Sequence, residues 1–210
     1  MSDLLPLFPL PNVVLFPNVF LPLHIFEPRY RAMVADAITG DRMIGMVLLQ
    51  RGWEQDYEGR PPVYAIGCSG VITHVEQLAD GRYNLVLRGL ERFRILTENH
   101  SLTYRRGIVE SLSERPMDGE DLIVVRRQRA KLEAMLASSH EAKGSDAKIP
   151  SAMGDEDLVN ALAQYLDFEP LEKQALLEHH SLRARAESLV ELLEIKIIMS
   201  RTPGGSNVPH

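Results

Sequence analysis

The chain of 210 residues has one cysteine and one tryptophan, and its 23 basic residues are outnumbered by 29 acidic ones. One cysteine excludes an internal disulfide. A formal charge of −6 argues against a general binder of polyanions, although a local basic strip is compatible with it. Met1-Ser2-Asp3 carries no basic leader. The uncharged stretch from Leu4 to Leu23 has the count of a bilayer span, but Pro6, Pro9, Pro11, Pro17 and Pro22 break the helix that spanning needs. A cytoplasmic protein is expected. The sequence also lacks the G-x-x-x-x-G-K-[ST] phosphate loop, G-x-G-x-x-G, H-E-x-x-H and G-x-S-x-G. Its seven histidines have no tight spacing, so no metal site and no cofactor are expected.

What is present is most distinctive at the beginning. Leu5-Pro6-Leu7-Phe8-Pro9-Leu10, Val13-Val14-Leu15-Phe16-Pro17 and Leu21-Pro22-Leu23-His24-Ile25-Phe26-Glu27-Pro28-Arg29-Tyr30 interleave short apolar runs with prolines. Proline fixes its own φ, lacks an N–H and extends the residue before it, so this region reads as short edge strands and turns over a core. Helical phase begins near Glu27, with Pro28 suited to the first turn and Tyr30, Met33, Val34 and Ile38 at helical spacing.

Up to about Ser113 the pattern is strand-like. Met43 to Leu49 reads as a strand buried on both faces, Val63 to Val75 as a second, and Tyr83 to Leu87 as a third. Asp80-Gly81 between the last two predicts a hairpin with a primed turn or a G1 bulge. Arg92 to Ile95 and Tyr104 to Leu112 complete a set of short strands that suggests a small closed barrel. After Pro116 and Gly119 the apolar period becomes helical, through Leu122, Val125, Leu132 and Leu136, then Leu158, Leu162, Tyr165 and Leu166, then Leu182, Ala186, Leu189, Leu193 and Ile197. Three or four helices are expected, with Asp155 and Ser181 as N-caps, Pro170 at a helix start, and a mobile polar loop over 138–146.

The three proline-rich runs resemble the start of the N-terminal substrate-recognition domain of Lon proteases, most closely its stand-alone bacterial form. The resemblance continues in order through Ala65-Ile66-Gly67-Cys68, Asp80-Gly81-Arg82-Tyr83, Leu87-Arg88-Gly89-Leu90-Glu91-Arg92-Phe93-Arg94-Ile95 and Leu189-Val190-Glu191-Leu192-Leu193. It implies an α+β fold, with an N-terminal PUA-like β-barrel and short helices over 3–113, a C-terminal α-helical bundle over 118–200, and a disordered tail over 201–210. It also implies non-catalytic recognition of unfolded or damaged polypeptides, or of one protein partner, in a proteolysis or quality-control setting, without ATP hydrolysis or peptide cleavage. A separate protease is a possible partner; nucleic acid and membrane are not expected ones.

Candidate site residues follow from local chemistry. His24, Phe26, Glu27, Arg29 and Tyr30 gather a donor, an anion, a cation and two aromatics where the proline-rich segment becomes a helix. They are either solvated helix-start residues or the rim of a peptide groove in a cleft between barrel and helices. Trp53, in the polar loop Arg51 to Gly59, either meets a partner or folds back on the barrel. Arg88, Arg92, Arg94, Arg105 and Arg106 form the basic concentration of the barrel half, either a solvated face or, in an alternative reading, a strip that contacts RNA phosphates. Cys68 is expected to be a buried strand residue rather than a nucleophile.

Overall fold

The computed structural model describes residues 4–57, 59–99, 101–141 and 153–201. It contains six strands, β1 (Leu5–Leu10), β2 (Phe20–Ile25), β3 (Met43–Leu48), β4 (Ile66–Gln77), β5 (Tyr83–Asn99) and β6 (Arg105–Ser111). The helices are α1 (Pro28–Thr39), α2 (Gly119–Glu141), α3 (Asp155–Tyr165), α4 (Pro170–Glu178) and α5 (Leu182–Arg201). The fold is α+β, as expected. The expected tail, apart from its first residue, and most of the expected polar loop lie outside the described residues.

The strands pair in the order β2-β5-β4-β3-β1-β6, and β6 returns to pair with β5. Five strands therefore close on themselves and β2 is added outside the ring. Closure is possible because β5 is 17 residues long: its first half pairs with β2, its second half with β6, and β4 lies along its other edge. β1 and β3 are parallel, joined through β2 and α1, as a parallel pair requires a long crossover. The expected turn at Asp80-Gly81 takes its bulged form. Gly81 has φ 80°, its N–H donates to the Leu78 carbonyl, and Leu78 and Arg82 close the hairpin.

Local sequence explains most element ends. Pro28 occupies the first turn of α1, which buries Tyr30, Met33, Val34 and Ala37 at helical spacing. The Ser181 hydroxyl accepts from the Ala184 N–H at 3.2 Å, and the Asp118 carboxylate caps α2 by accepting from the Asp121 N–H at 2.8 Å. At the start of α4, Glu172 reaches back to the Glu169 N–H at 2.7 Å. β2 is an edge strand, and Pro22 at its middle interrupts the N–H row that a foreign strand would need.

Two compact units result. One comprises residues 1–114 with 160–178, the other 115–159 with 179–210. This differs from the expected division at 113/118, because the end of α3 and all of α4 belong with the barrel. The reason is polar anchoring that no helical period reveals. Asn160 Nδ2 donates to the Pro17 carbonyl at 3.2 Å, Gln164 Oε1 accepts from the Phe16 N–H at 3.2 Å, and Gln174 Nε2 donates to the Ile66 carbonyl at 2.9 Å. Each side chain satisfies a barrel backbone group that would otherwise be stranded. Tyr165, assigned to the apolar stripe by its spacing, is instead exposed, and its hydroxyl donates to the Phe20 carbonyl at 2.8 Å. In the second unit α2 packs on α5, with Lys131 to Glu194 at 2.7 Å and Arg183 to Glu120 and Asp121 at 3.2 Å.

Candidate functional site

The chain entering α1 builds the most chemically dense part of the barrel unit. Glu27 sits at the N-cap position with extended backbone, but its carboxylate makes no capping bond. It turns instead to Arg29, at 3.0 Å, and accepts the Tyr57 hydroxyl. Arg29 also donates to the Tyr57 carbonyl at 3.2 Å, and its guanidinium lies 4.8 Å from the Tyr30 ring centre and 4.9 Å from that of Tyr57. The cation is thus held between two aromatic faces and tied to a carboxylate. Burial, then the hydrogen bond to Glu27, raises the Tyr57 pKa above the ordinary tyrosine value.

Tyr57 belongs to the segment after β3. Gly52, at φ 85°, supplies the left-handed turn from which a short 3-10 turn, Trp53–Asp56, begins. Trp53 then meets Tyr57 edge to face, with ring centres 5.3 Å apart. Through Tyr57, Trp53 joins the aromatic cluster at the start of α1.

Two concavities flank this cluster. One is a cavity of 230 Å³ walled by Arg29, Tyr30, Tyr57, Arg60, Tyr104 and Arg105, among others. The other is an open groove of 650 Å³ between Trp53 and the start of α4, with Leu48, Leu49 and Leu171 as apolar wall and Glu54, Glu169, Glu172 and Arg51 as charged rim. Leu49 lines both, so the two are neighbours. Trp53 lines the groove and Tyr57 the cavity, and the contact of their rings marks the join.

Four of the six residues proposed for peptide binding, Glu27, Arg29, Tyr30 and Trp53, are thus brought together. His24 and Phe26 line neither concavity. His24 Nδ1 is 2.7 Å from Asn84 Oδ1, its Nε2 is 3.3 Å from Arg82, and the Phe26 ring, 59% exposed, stacks on it at 6.3 Å. Tyr30 corrects the expectation of a rim aromatic: it is only 4% exposed and its ring packs at 4.5 Å from that of Phe8. Tyr57, Arg60, Tyr104 and the α4 wall were not singled out from the sequence. Tyr57 stood in the same polar loop as Trp53 and Arg60 directly follows that loop, while Tyr104 and the α4 wall reach the site only through long-range contacts.

The five arginines of the alternative reading do not form one exposed strip. Arg88 and Arg94 face solvent, whereas Arg92 is buried, donating to the Leu177 carbonyl at 3.1 Å and pairing with Glu114 at 3.3 Å. An extra β5 residue between the pairs Cys68↔Arg92 and Gly70↔Gly89 sets Arg88 out of phase with Arg92 and Arg94, and α4 covers Arg92 but not Arg94. Arg105 is also buried; it donates to the Pro61 carbonyl and pairs with Glu98 at 3.3 Å. Burial lowers its pKa from the usual arginine value, Glu98 opposes the fall, and Arg60 and Arg29 add to it. Arg106 binds the Ser101 hydroxyl at 2.8 Å. Cys68 is fully buried on β4, as expected.

A family model described as the ATP-dependent protease La (LON) substrate-binding domain matches residues 4–194. The chain belongs to the Lon substrate-binding domain family. Relatives include Lon protease 2 of Myxococcus xanthus, 29% identical over 92% of this chain and 24% of that protein, and the Lon protease of Methylocella silvestris, 29% identical over 95% of this chain and 25% of that protein. The chain spans about a quarter of the length of these relatives. Among solved structures, the N-terminal domain of a Mycobacterium avium complex Lon protease superposes with a TM-score of 0.67 at 18% identity, over 91% of this chain and 98% of that one. A Lon N-terminal domain protein from Xanthomonas campestris gives 0.58 at 23% identity, over 96% and 99%. These two establish the shared Lon N-terminal fold. Among the described residues, no helix is long and apolar enough to cross a membrane.

Proposed function

We propose that this Lon-domain chain is a non-catalytic recognition module that binds unfolded or damaged polypeptide segments in a cytoplasmic proteolysis or quality-control setting. The observation that carries the reading is the groove beside Trp53, where an apolar wall meets a rim with three glutamates and Arg51, next to a cavity whose described wall includes Arg29, Arg60 and Arg105. An extended segment laid along this surface buries apolar side chains against Trp53, Leu49 and Leu171. The glutamates of the groove rim and the arginines of the cavity wall give it a direction, because like-charge placement is disfavoured. Trp53 is the natural anchor, since a partly exposed indole contributes a large apolar area at small entropic cost. Family membership supports recognition of protein substrates, and a partner protease would act on what is bound.

The test is binding of a labelled unfolded polypeptide at low and high salt, compared with a labelled single-stranded RNA. Binding of the polypeptide that survives salt and weakens about tenfold on Trp53→Ala is expected, as for an interface anchor contributing somewhat more than 1 kcal/mol. Salt-sensitive RNA binding in its place overturns the reading, since phosphate contacts release counterions and apolar contacts do not.

A further inference from the structure

We infer that the barrel unit has a second polypeptide-binding site, at the mouth of the barrel around the start of β1, which takes an extended segment carrying a lysine or arginine beside large apolar residues. The site is separate from the Trp53 groove, and it rests on the recognition reading above for the class of its occupant. It is an open groove of 560 Å³ with Leu4, Leu5, Phe93 and Val109 as apolar floor. Leu5 and Val109 pack on the core formed by Leu7, Val47 and Phe93, which holds the floor in a fixed shape. An apolar side chain entering the groove covers this floor and is the main source of binding.

Charge selects the neighbour of that side chain. The end of α1 forms one wall, with Asp36 and Asp41. Acidic residues are unfavourable at a helix C-terminus, and the last turn of α1 has no basic residue to offset them. Their placement therefore does not serve the helix end. Arg42, next in sequence, turns away, its Nε donating to the Ile72 carbonyl at 3.0 Å. One oxygen of each aspartate has a local partner: the Tyr104 hydroxyl donates to Asp36 Oδ2 at 2.7 Å, and the Met43 N–H to Asp41 Oδ1 at 3.1 Å. The second oxygen of each has no partner among the described residues. Glu91, held by the Ser111 hydroxyl, adds a third carboxylate to the wall. A cationic side chain at the α1 end meets the two aspartates together with the negative end of the helix dipole.

Arg106 lies in the same wall and sets where the rest of the segment runs. Its Nη2 donates to the Ser101 hydroxyl at 2.8 Å, whereas its Nε is buried and has no hydrogen-bond partner among the described residues. Buried polar groups are ordinarily paired. A backbone carbonyl of the segment supplies the acceptor that this N–H lacks. A carbonyl suits the place better than a carboxylate, because Asp36, Asp41 and Glu91 repel an anion. The groove thus reads an apolar side chain on its floor, a carbonyl at Arg106 and a cation at the end of α1.

The experiment titrates the isotope-labelled full chain, followed by NMR, with an unfolded peptide centred on Leu-Lys-Leu and with two versions that carry norleucine or glutamate in place of the lysine. Saturable shifts of the Gly40, Ser69 and Val109 amide signals are expected, and the Trp53 indole signal reports the other groove. The norleucine version should bind about fivefold more weakly at low salt, the glutamate version more weakly still, and the difference should shrink at high salt, as for a partly solvated cation beside carboxylates and a helix end. Asp36→Asn and Asp41→Asn keep the acceptor oxygens used by Tyr104 and Met43, so their combination removes charge alone and should bring the lysine peptide to the affinity of the norleucine one. Arg106→Lys, which keeps the charge and removes Nε, should weaken all three peptides alike. Equal binding of the lysine and norleucine peptides, or a preference that survives the double variant, overturns the inference. Shifts confined to Trp53 and its neighbours refute the site at the mouth and leave the recognition reading standing. Shifts at the mouth with an unmoved Trp53 indole do the reverse for the groove beside Trp53, and no shift at either place refutes both.

Discussion

Replacing Arg92 by alanine tests whether the barrel arginines are a binding surface or internal struts. The side chain is 4% exposed and its guanidinium reaches the carbonyl of Leu177 in the last turn of α4 at 3.1 Å and Glu114 at 3.3 Å. A charged hydrogen bond contributes ~1.5–3 kcal/mol, and removing one member of a buried pair costs ~3–5 kcal/mol because the other charge loses its partner. The two contributions overlap, and Glu114 retains some solvent, so a loss of about 3 kcal/mol is expected for Arg92→Ala. At roughly 2–4 °C per kcal/mol for a chain of this size, the midpoint should fall by about 6–12 °C. Trp53, the only tryptophan, lies in the barrel unit, so its fluorescence during urea or thermal unfolding reports on that unit. Arg94→Ala, at an exposed position of the same strand, should stay within about 0.5 kcal/mol. Equal, small effects for both arginines would refute the assignment of Arg92 as a strut and reopen the phosphate-contacting strip.

Gly89→Ala should destabilise the barrel by more than ~2 kcal/mol, since a Cβ there would strike the Phe16 carbonyl oxygen where the segment before β2 crosses β5; unchanged urea unfolding would contradict this. Gln164→Ala, which strands the buried Phe16 N–H, should cost about 1–3 kcal/mol in the same assay. Burial, then its hydrogen bond to Asp36, raises the Tyr104 pKa to about 12. The native state thereby favours the protonated phenol, so this stabilisation is complete below ~10, the unfolded value, and is lost as pH rises through about 12. Tyrosinate absorbance in the near ultraviolet should show one late-titrating group missing from Tyr104→Phe, and the variant's stability should fall less steeply between those pH values.

The elements themselves were legible in short windows. Proline spacing marked β1 and β2, Pro28 marked the start of α1, and Asp80-Gly81 marked the β4–β5 hairpin, because φ restriction and missing donors act on the residue and its neighbours alone. Apolar period likewise located α2, α3 and α5, Pro170 marked the start of α4, and the ordered runs from Leu5 to Leu193 announced the Lon family. The fate of individual polar side chains was not legible in this way. Whether Arg92 is solvated or buried depends on a carbonyl 85 residues further along the chain and on Glu114. Tyr30 and Trp53 were named for being aromatic, but only the folded chain separates a ring packed on Phe8 from one that borders a groove. Arg105, first grouped with a nucleic-acid strip, becomes the wall of a pocket with Arg29 and Arg60 because strand pairing places β6 beside the segment after β3. Local backbone chemistry therefore determined the elements and the family. The joining of α4 to the barrel, the burial of charge and the pocket were decided by tertiary structure, since each depends on desolvation by residues distant in sequence.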